Sequence, residues 1–212
     1  MVNKYLNYAG VLAAPWWLAS IGVFGYLEPN YSHLYKAVSE LGAFGASNWI
    51  AMNLFCLFAT GVLVVIAGLS FKKASKAANV SHQASFWVVL TGIMFAGTAI
   101  PADMELYFES PWTIAHAFFV LLGVIPFFVA AWKTPKALRR LGIESKFISY
   151  FPLAIIPTFL MHGFVQQGGL VQRATILILL IWVSYLSWIL LPHLNSHNKS
   201  SQQDASKACA SA

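Results

Sequence analysis

Apolar residues in this chain run in long blocks, and the charged residues fall between the blocks. Asp, Glu, Lys and Arg are absent from six stretches, 5–27, 41–71, 77–102, 110–132, 147–172 and 174–198. Each is long enough to cross hydrocarbon as a helix, which takes roughly 20 residues. None alternates apolar and polar positions with the period of two expected of a membrane barrel strand. Backbone polar groups inside a bilayer must be paired within their own segment, so the pattern predicts helices. The expected architecture is an all-α membrane protein. Residues 1–192 form a bundle of six transmembrane helices, and 193–212, rich in Ser, Asn, Gln and Ala, form a disordered tail.

Local signals refine this picture. Pro15-Trp16-Trp17 falls near the middle of the first helix, where Trp is expected to pack against neighbouring helices. In the loop that follows, Leu34, Val38 and Leu41 recur at i, i+4 and i+7, and Gly42 stands where a left-handed cap would fall. A short amphipathic helix over 32–41, lying on the outer membrane surface, is expected from that spacing. Gly92 and Ala96 stand four apart in the third helix, a spacing that lets another helix approach closely. Pro101 closes that helix, and Pro111-Trp112 opens the fourth with proline in the tolerated first turn. Pro152 and Pro157 remove backbone donors from the fifth helix, which should kink and face the bundle interior.

Composition and charge supply the orientation. A net charge of +6 would suggest a nucleic-acid partner in a soluble protein, but this chain is 58% hydrophobic and its cations are unevenly placed. Eleven of the thirteen Lys and Arg residues fall at the termini, between helices two and three (Lys72, Lys73, Lys76), or between four and five (Lys133 to Lys146). The positive-inside rule puts that side in the cytoplasm, with both termini. The basic excess is therefore a topology signal. It implies a multi-pass protein of the plasma (inner) membrane with lipid as its surroundings and no nucleic acid as partner. Only Lys36 and Arg173 then face outward. Cys56 lies within the second helix and Cys209 in the cytoplasmic tail, with no zinc or redox spacing, so no disulfide is expected. The first apolar run exceeds a signal-peptide core of roughly 7 to 15 residues and is read as a retained helix.

Candidate chemistry gathers on the outer side. Asp103, Glu105, Glu109 and His116 lie close together between two apolar runs, and Glu40 and Arg173 reach the same side from other segments. Ionisable groups near the membrane boundary are costly unless they pair or meet water, so Glu40, Asp103, His116 and Arg173 are expected to converge, while Glu105 and Glu109 are solvated loop charge. Several chemistries follow. His116 oriented by Asp103 would be a general base, with Ser39 as nucleophile and Glu40 and Arg173 as ligand-binding groups, Arg173 holding an anionic head. That is a lipid-directed hydrolase or transferase. His33, His116 and His162 with Asp103 would instead suit a divalent metal, although they lack a local ligand spacing and no cofactor motif is present. A proton or cation relay in a small transporter would use the same acids, but no ionisable residue lies at the midplane. Finally, Glu40–Arg173 and Asp103–His116 would serve as structural pairs that dock the helices. The preferred reading is a polar site near the outer face that binds or processes a lipid or small amphiphile. Oligomeric state is left open.

Ser39-Glu40-Leu41-Gly42-Ala43, Gly97-Thr-Ala-Ile-Pro101-Ala-Asp103, His116 and Gly169-Leu-Val-Gln-Arg173 occur in an order that resembles the domain of unknown function 998 family of integral membrane proteins. The likeness runs over nearly the whole apolar region, with Ser-Glu-Leu-Gly-Ala its most specific piece. It implies a six-helix membrane fold and a shared set of polar positions, and it names no chemistry.

Overall fold

The computed structural model describes residues 6–104, 110–161 and 168–210, with the side chains of 6, 7, 159 and 195–210 left aside. Among the described residues the fold is helical throughout, with one isolated bridge between Phe44 and Asp103 in place of any sheet. After a helical turn at Leu6–Ala9 come α1 (Gly10–Leu27), α2 (Val38–Leu41), α3 (Trp49–Ala77), α4 (Gln83–Gly97), α5 (Pro111–Arg140), α6 (Lys146–Tyr150), α7 (Ile155–Met161) and α8 (Gly168–Ala210). Four segments, Gly10–Leu27, Trp49–Ala77, Pro111–Arg140 and Gly168–Leu194, are long and apolar enough to cross a membrane. The two remaining apolar runs take shorter forms. α4 is a single apolar helix, and the fifth run breaks at Pro152 into α6, a 3-10 turn at Phe151–Ala154, and α7. The break follows from the missing proline donor, as the sequence predicts.

Small residues set the helix spacing. A Cβ on Gly92 would stand 2.6 Å from the Val65 backbone nitrogen and 2.8 Å from the Gly61 carbonyl, and one on Gly61 would strike Ala96. The Gly92/Ala96 spacing thus admits α3 of the same chain. α5 packs on the other side of α4, and α8 packs against α1, α3 and α7. Trp17 is fully buried, whereas its neighbour Trp16 is exposed but donates its indole N–H to the Phe55 carbonyl at 2.7 Å. That carbonyl lies in Met52–Phe58, where α3 widens to a π-helix and its backbone bonds re-register. α1 is tied to α8 as well, through the Ala14 amide and the Ser184 hydroxyl at 3.1 Å.

Two expectations about the first loop change. The amphipathic helix over 32–41 reduces to the one turn of α2, and that turn faces inward, with Val38, Ser39 and Leu41 buried. The carbonyls that would have propagated a longer helix are taken by tertiary donors: Leu34 O by the Leu170 amide, Lys36 O by Arg173, and Ala37 O by the Tyr31 hydroxyl. Gly42 is not left-handed either (φ −102°). Glycine is needed there because a Cβ would collide with the Asn53 carboxamide, whose Nδ2 donates to the Gly42 carbonyl at 2.7 Å.

Candidate functional site

The first turn of α8 organises one end of the bundle. A helix start leaves backbone N–H groups without intrahelical partners. Here the Leu170 amide takes the Leu34 carbonyl at 3.0 Å, and two residues on the Gln172 Oε1 accepts the Val38 amide at 2.7 Å. Arg173 completes the staple. It is 6% exposed, donates through Nη1 to Lys36 O (2.9 Å) and Gly169 O (2.7 Å), and donates through Nη2 to the Tyr31 hydroxyl. Its guanidinium carbon also lies 5.5 Å from the Tyr31 ring centroid. A Cβ at residue 169 would strike the Lys36 carbonyl, so Gly169 lets the loop lie directly on the helix.

Tyr31 hands its own proton to Ala37 O at 2.8 Å, and burial pushes its phenol up to about 12 against the opposing pull of Arg173. His33 sits edge-on to Tyr31 at 5.2 Å, and partial burial followed by the Arg173 charge lowers its imidazole below the ordinary value.

The expected ion pairs are replaced by other partners. Glu40 accepts the Ala37 amide at 2.7 Å and so caps α2, while Arg173 bonds two carbonyls and Tyr31 through its Nη atoms and keeps its buried Nε without a partner among the described residues. Asp103 exchanges two bonds with Thr113: its amide donates to the Thr113 hydroxyl at 3.0 Å, and that hydroxyl faces its Oδ2 at 3.1 Å. His116 instead bonds the Ile100 carbonyl through Nδ1 at 2.8 Å. The polar residues do share one end of the fold, but they are joined to backbone and hydroxyl groups. A helix start and a tight turn offer many such groups, and in an apolar setting these satisfy a side chain without a second charge.

Ser39 and His116 meet at a different feature. A cleft of about 300 Å³ runs between α4 and α5 on one side and α7 and α8 on the other, lined by both residues. Thr98, Gln172, Thr158 and Thr175 add polar groups near the Arg173 end, and Phe127 and Leu179 extend it along the bundle with apolar surface. Leu121, on its rim, is 66% exposed, so the cleft opens sideways onto the apolar outside of the bundle. Glu40, Asp103 and Arg173 do not line it. Gln172, Thr113 and Tyr31 were not singled out by sequence, although Gln172 adjoins Arg173 and Thr113 lies one turn before His116.

Among the described residues no three His, Cys, Asp or Glu side chains are grouped to hold a metal ion. His162, the third histidine of the metal reading, lies outside the described residues, as do Glu105 and Glu109.

A helical fold with four helices long and apolar enough to cross a membrane is that of a membrane protein. The chain belongs to the family described as "Protein of unknown function (DUF998)", whose model matches residues 11–189. No curated protein and no solved structure matches it.

Proposed function

We propose that the chain crosses the plasma membrane six times, with both termini in the cytoplasm, and that its cleft takes a lipid or small amphiphile from the bilayer. The count rests on connectivity. α5 starts beside Asp103 and ends at the basic Arg139-Arg140, whereas α8 starts beside Leu34 at the opposite end, and this supports a return of the chain between them through the bundle. α4 likewise carries the chain in this reading from the lysine-rich end of α3 back to Asp103. α4 is apolar over its fifteen residues, and a 3-10 turn at Phe151–Ala154 joins α6 to α7. The basic residues then lie together on the side that the positive-inside rule assigns to the cytoplasm.

The observation that carries the ligand reading is the cleft itself: polar at one end, apolar along its length, and open toward Leu121. Cavities of this size fall at the small end of ordinary ligand sites, roughly 300 to 1,000 Å³. Glu40, Asp103 and Arg173 fix the walls in this reading, and Ser39 and His116 face the ligand. Photoreactive oleyl-chain amphiphiles with several heads, added to the full chain in lipid nanodiscs, test it. Labelling should concentrate on peptides containing Leu121, Phe127 and Leu179, and Leu179→Trp, which fills the cleft, should suppress it. Labelling spread evenly over the apolar faces and indifferent to Leu179→Trp would sink the proposal.

Ser39 and His116 on one cleft also favour a second reading, turnover of a bound ester or amide by a hydrolase or transferase. In that case Ser39→Ala abolishes turnover while cleft labelling persists.

A further inference from the structure

The hydrogen-bond inventory of the cleft narrows what it takes. No Asp, Glu, Lys or Arg is among its described lining residues. The charged groups nearest in the fold lie off its walls and bond elsewhere: Arg173 through Nη1 and Nη2 with two carbonyls and Tyr31, Asp103 with Thr113, and Glu40 with the Ala37 amide. A charged head entering the cleft would give up its hydration and find no counter-charge on the walls.

The hydroxyls are biased too. A threonine has one proton to give and two lone pairs to offer. Thr91 gives its proton to Trp87 O at 2.8 Å, Thr98 to Phe95 O at 2.6 Å, and Thr158 to Ile155 O at 2.7 Å. Thr175 shares its proton between Thr158 Oγ1 (2.8 Å) and Val171 O (3.0 Å). Helix carbonyls thus absorb these protons, leaving lone pairs for a ligand. His116 adds another acceptor. A carbonyl can only accept, so the Nδ1 bonded to Ile100 O carries the proton and, in the neutral ring, Nε2 keeps its lone pair. Against these acceptors the cleft sets few donors. Gln172, whose Oε1 already holds the Val38 amide, offers its Nε2 amide, and Ser39 offers its hydroxyl.

From this we infer that the cleft selects an uncharged, single-chain amphiphile whose head carries a hydroxyl donor, in the manner of a long-chain alcohol or a monoacylglycerol, with the head at the Arg173 end and the chain along Phe127 and Leu179. A phosphate or carboxylate head brings only acceptors to an acceptor-rich wall, and an ammonium head brings a charge without a partner. A cleft of about 300 Å³ suits part of one slender chain, the rest of which lies in the lipid toward which the cleft opens.

The inference rests on the amphiphile reading and is tested so that the two can fail separately. Three photoreactive probes share one oleyl tail and differ in head: alcohol, phosphate and ammonium. Each is added at equal mole fraction to nanodiscs holding the full chain. The alcohol should label the cleft peptides about tenfold more than either charged probe, the ratio that one or two hydrogen bonds give. His116→Phe, which keeps the ring shape and removes the acceptor, should erase most of that ratio. Thr175→Val, nearly isosteric, provides the same readout should the first variant fold poorly. Cleft labelling by the phosphate or ammonium probe equal to or above that of the alcohol overturns the head-group assignment and leaves the amphiphile reading standing. Absence of cleft labelling by all three overturns both.

Discussion

Arg173 shows how a buried cation can be held without a carboxylate. Its bonds run to the Lys36 and Gly169 carbonyls and to Tyr31, so its role is to fasten the 31–38 loop onto α8. Arg173→Met leaves those acceptors unpaired in a dry site, and at about 1 to 3 kcal/mol for each buried group so stranded the variant should lose several degrees of thermal midpoint in detergent. Tyr31 gives the same staple an alkaline limit. Its folded phenol is raised from 10.0 to about 12, so the folded state binds that proton more tightly than the unfolded chain does. Its stabilising contribution is complete below pH 10 and is lost as pH rises through about 12. Thermal melts from pH 9 upward should therefore fall more steeply for the parent than for Tyr31→Phe; parallel curves would show that the phenol is not the titrating group. At this scale the sequence was half legible. It pointed to Ser39, Glu40, Asp103, His116 and Arg173 as residues that an apolar chain would not carry idly. It could not supply their partners, because those are backbone carbonyls and amides and the hydroxyls of Tyr31 and Thr113, which no motif marks.

Among the helices, the α3–α4 contact is where the backbone comes closest. Gly92 against Val65 and Gly61 leaves no volume for a side chain, and the rigid backbone on the far side cannot yield as a flexible side chain would. Gly92→Leu should force the two helices apart, lowering folded yield and thermal midpoint by an amount in the range of about 1 to 3 kcal/mol or more that overpacking costs. Gly22→Leu, at a position with nothing within reach of a Cβ, is the matched control and should behave as the parent does. Helix positions were the most legible part of the chain, since blocks of apolar residues bounded by charges have few other solutions in lipid. Their ends were less so. α3 runs on through Lys72, Lys73 and Lys76, and α5 through Lys133 to Arg140, because lysine and arginine are good helix formers once a helix is under way. The loop helix failed for the opposite reason: its spacing was right, but tertiary donors captured its carbonyls.

For the molecule as a whole, orientation is the consequence most readily checked. Lys72, Lys76, Lys133, Arg139 and Lys146 belong to one end of the bundle, and Tyr31, Ser39, Asp103 and Arg173 to the other. A cytoplasm-only reporter fused after Ala212 should be active, and one inserted between Ser47 and Asn48 should be silent; the reverse pattern would overturn the topology. The class of fold followed from the sequence alone. The cleft did not, since it is made by α4, α5, α7 and α8 failing to close on one another, and no local pattern records a gap. α5 gives that gap a mechanical side. Thirty residues make a rod about 45 Å long, well beyond the roughly 30 Å of hydrocarbon, with His116 near one tip, four cations near the other, and Pro126 between them. Pro126 has no backbone N–H to give, so the rod is weakest between the half that borders the gap and the half that carries Arg139 and Arg140.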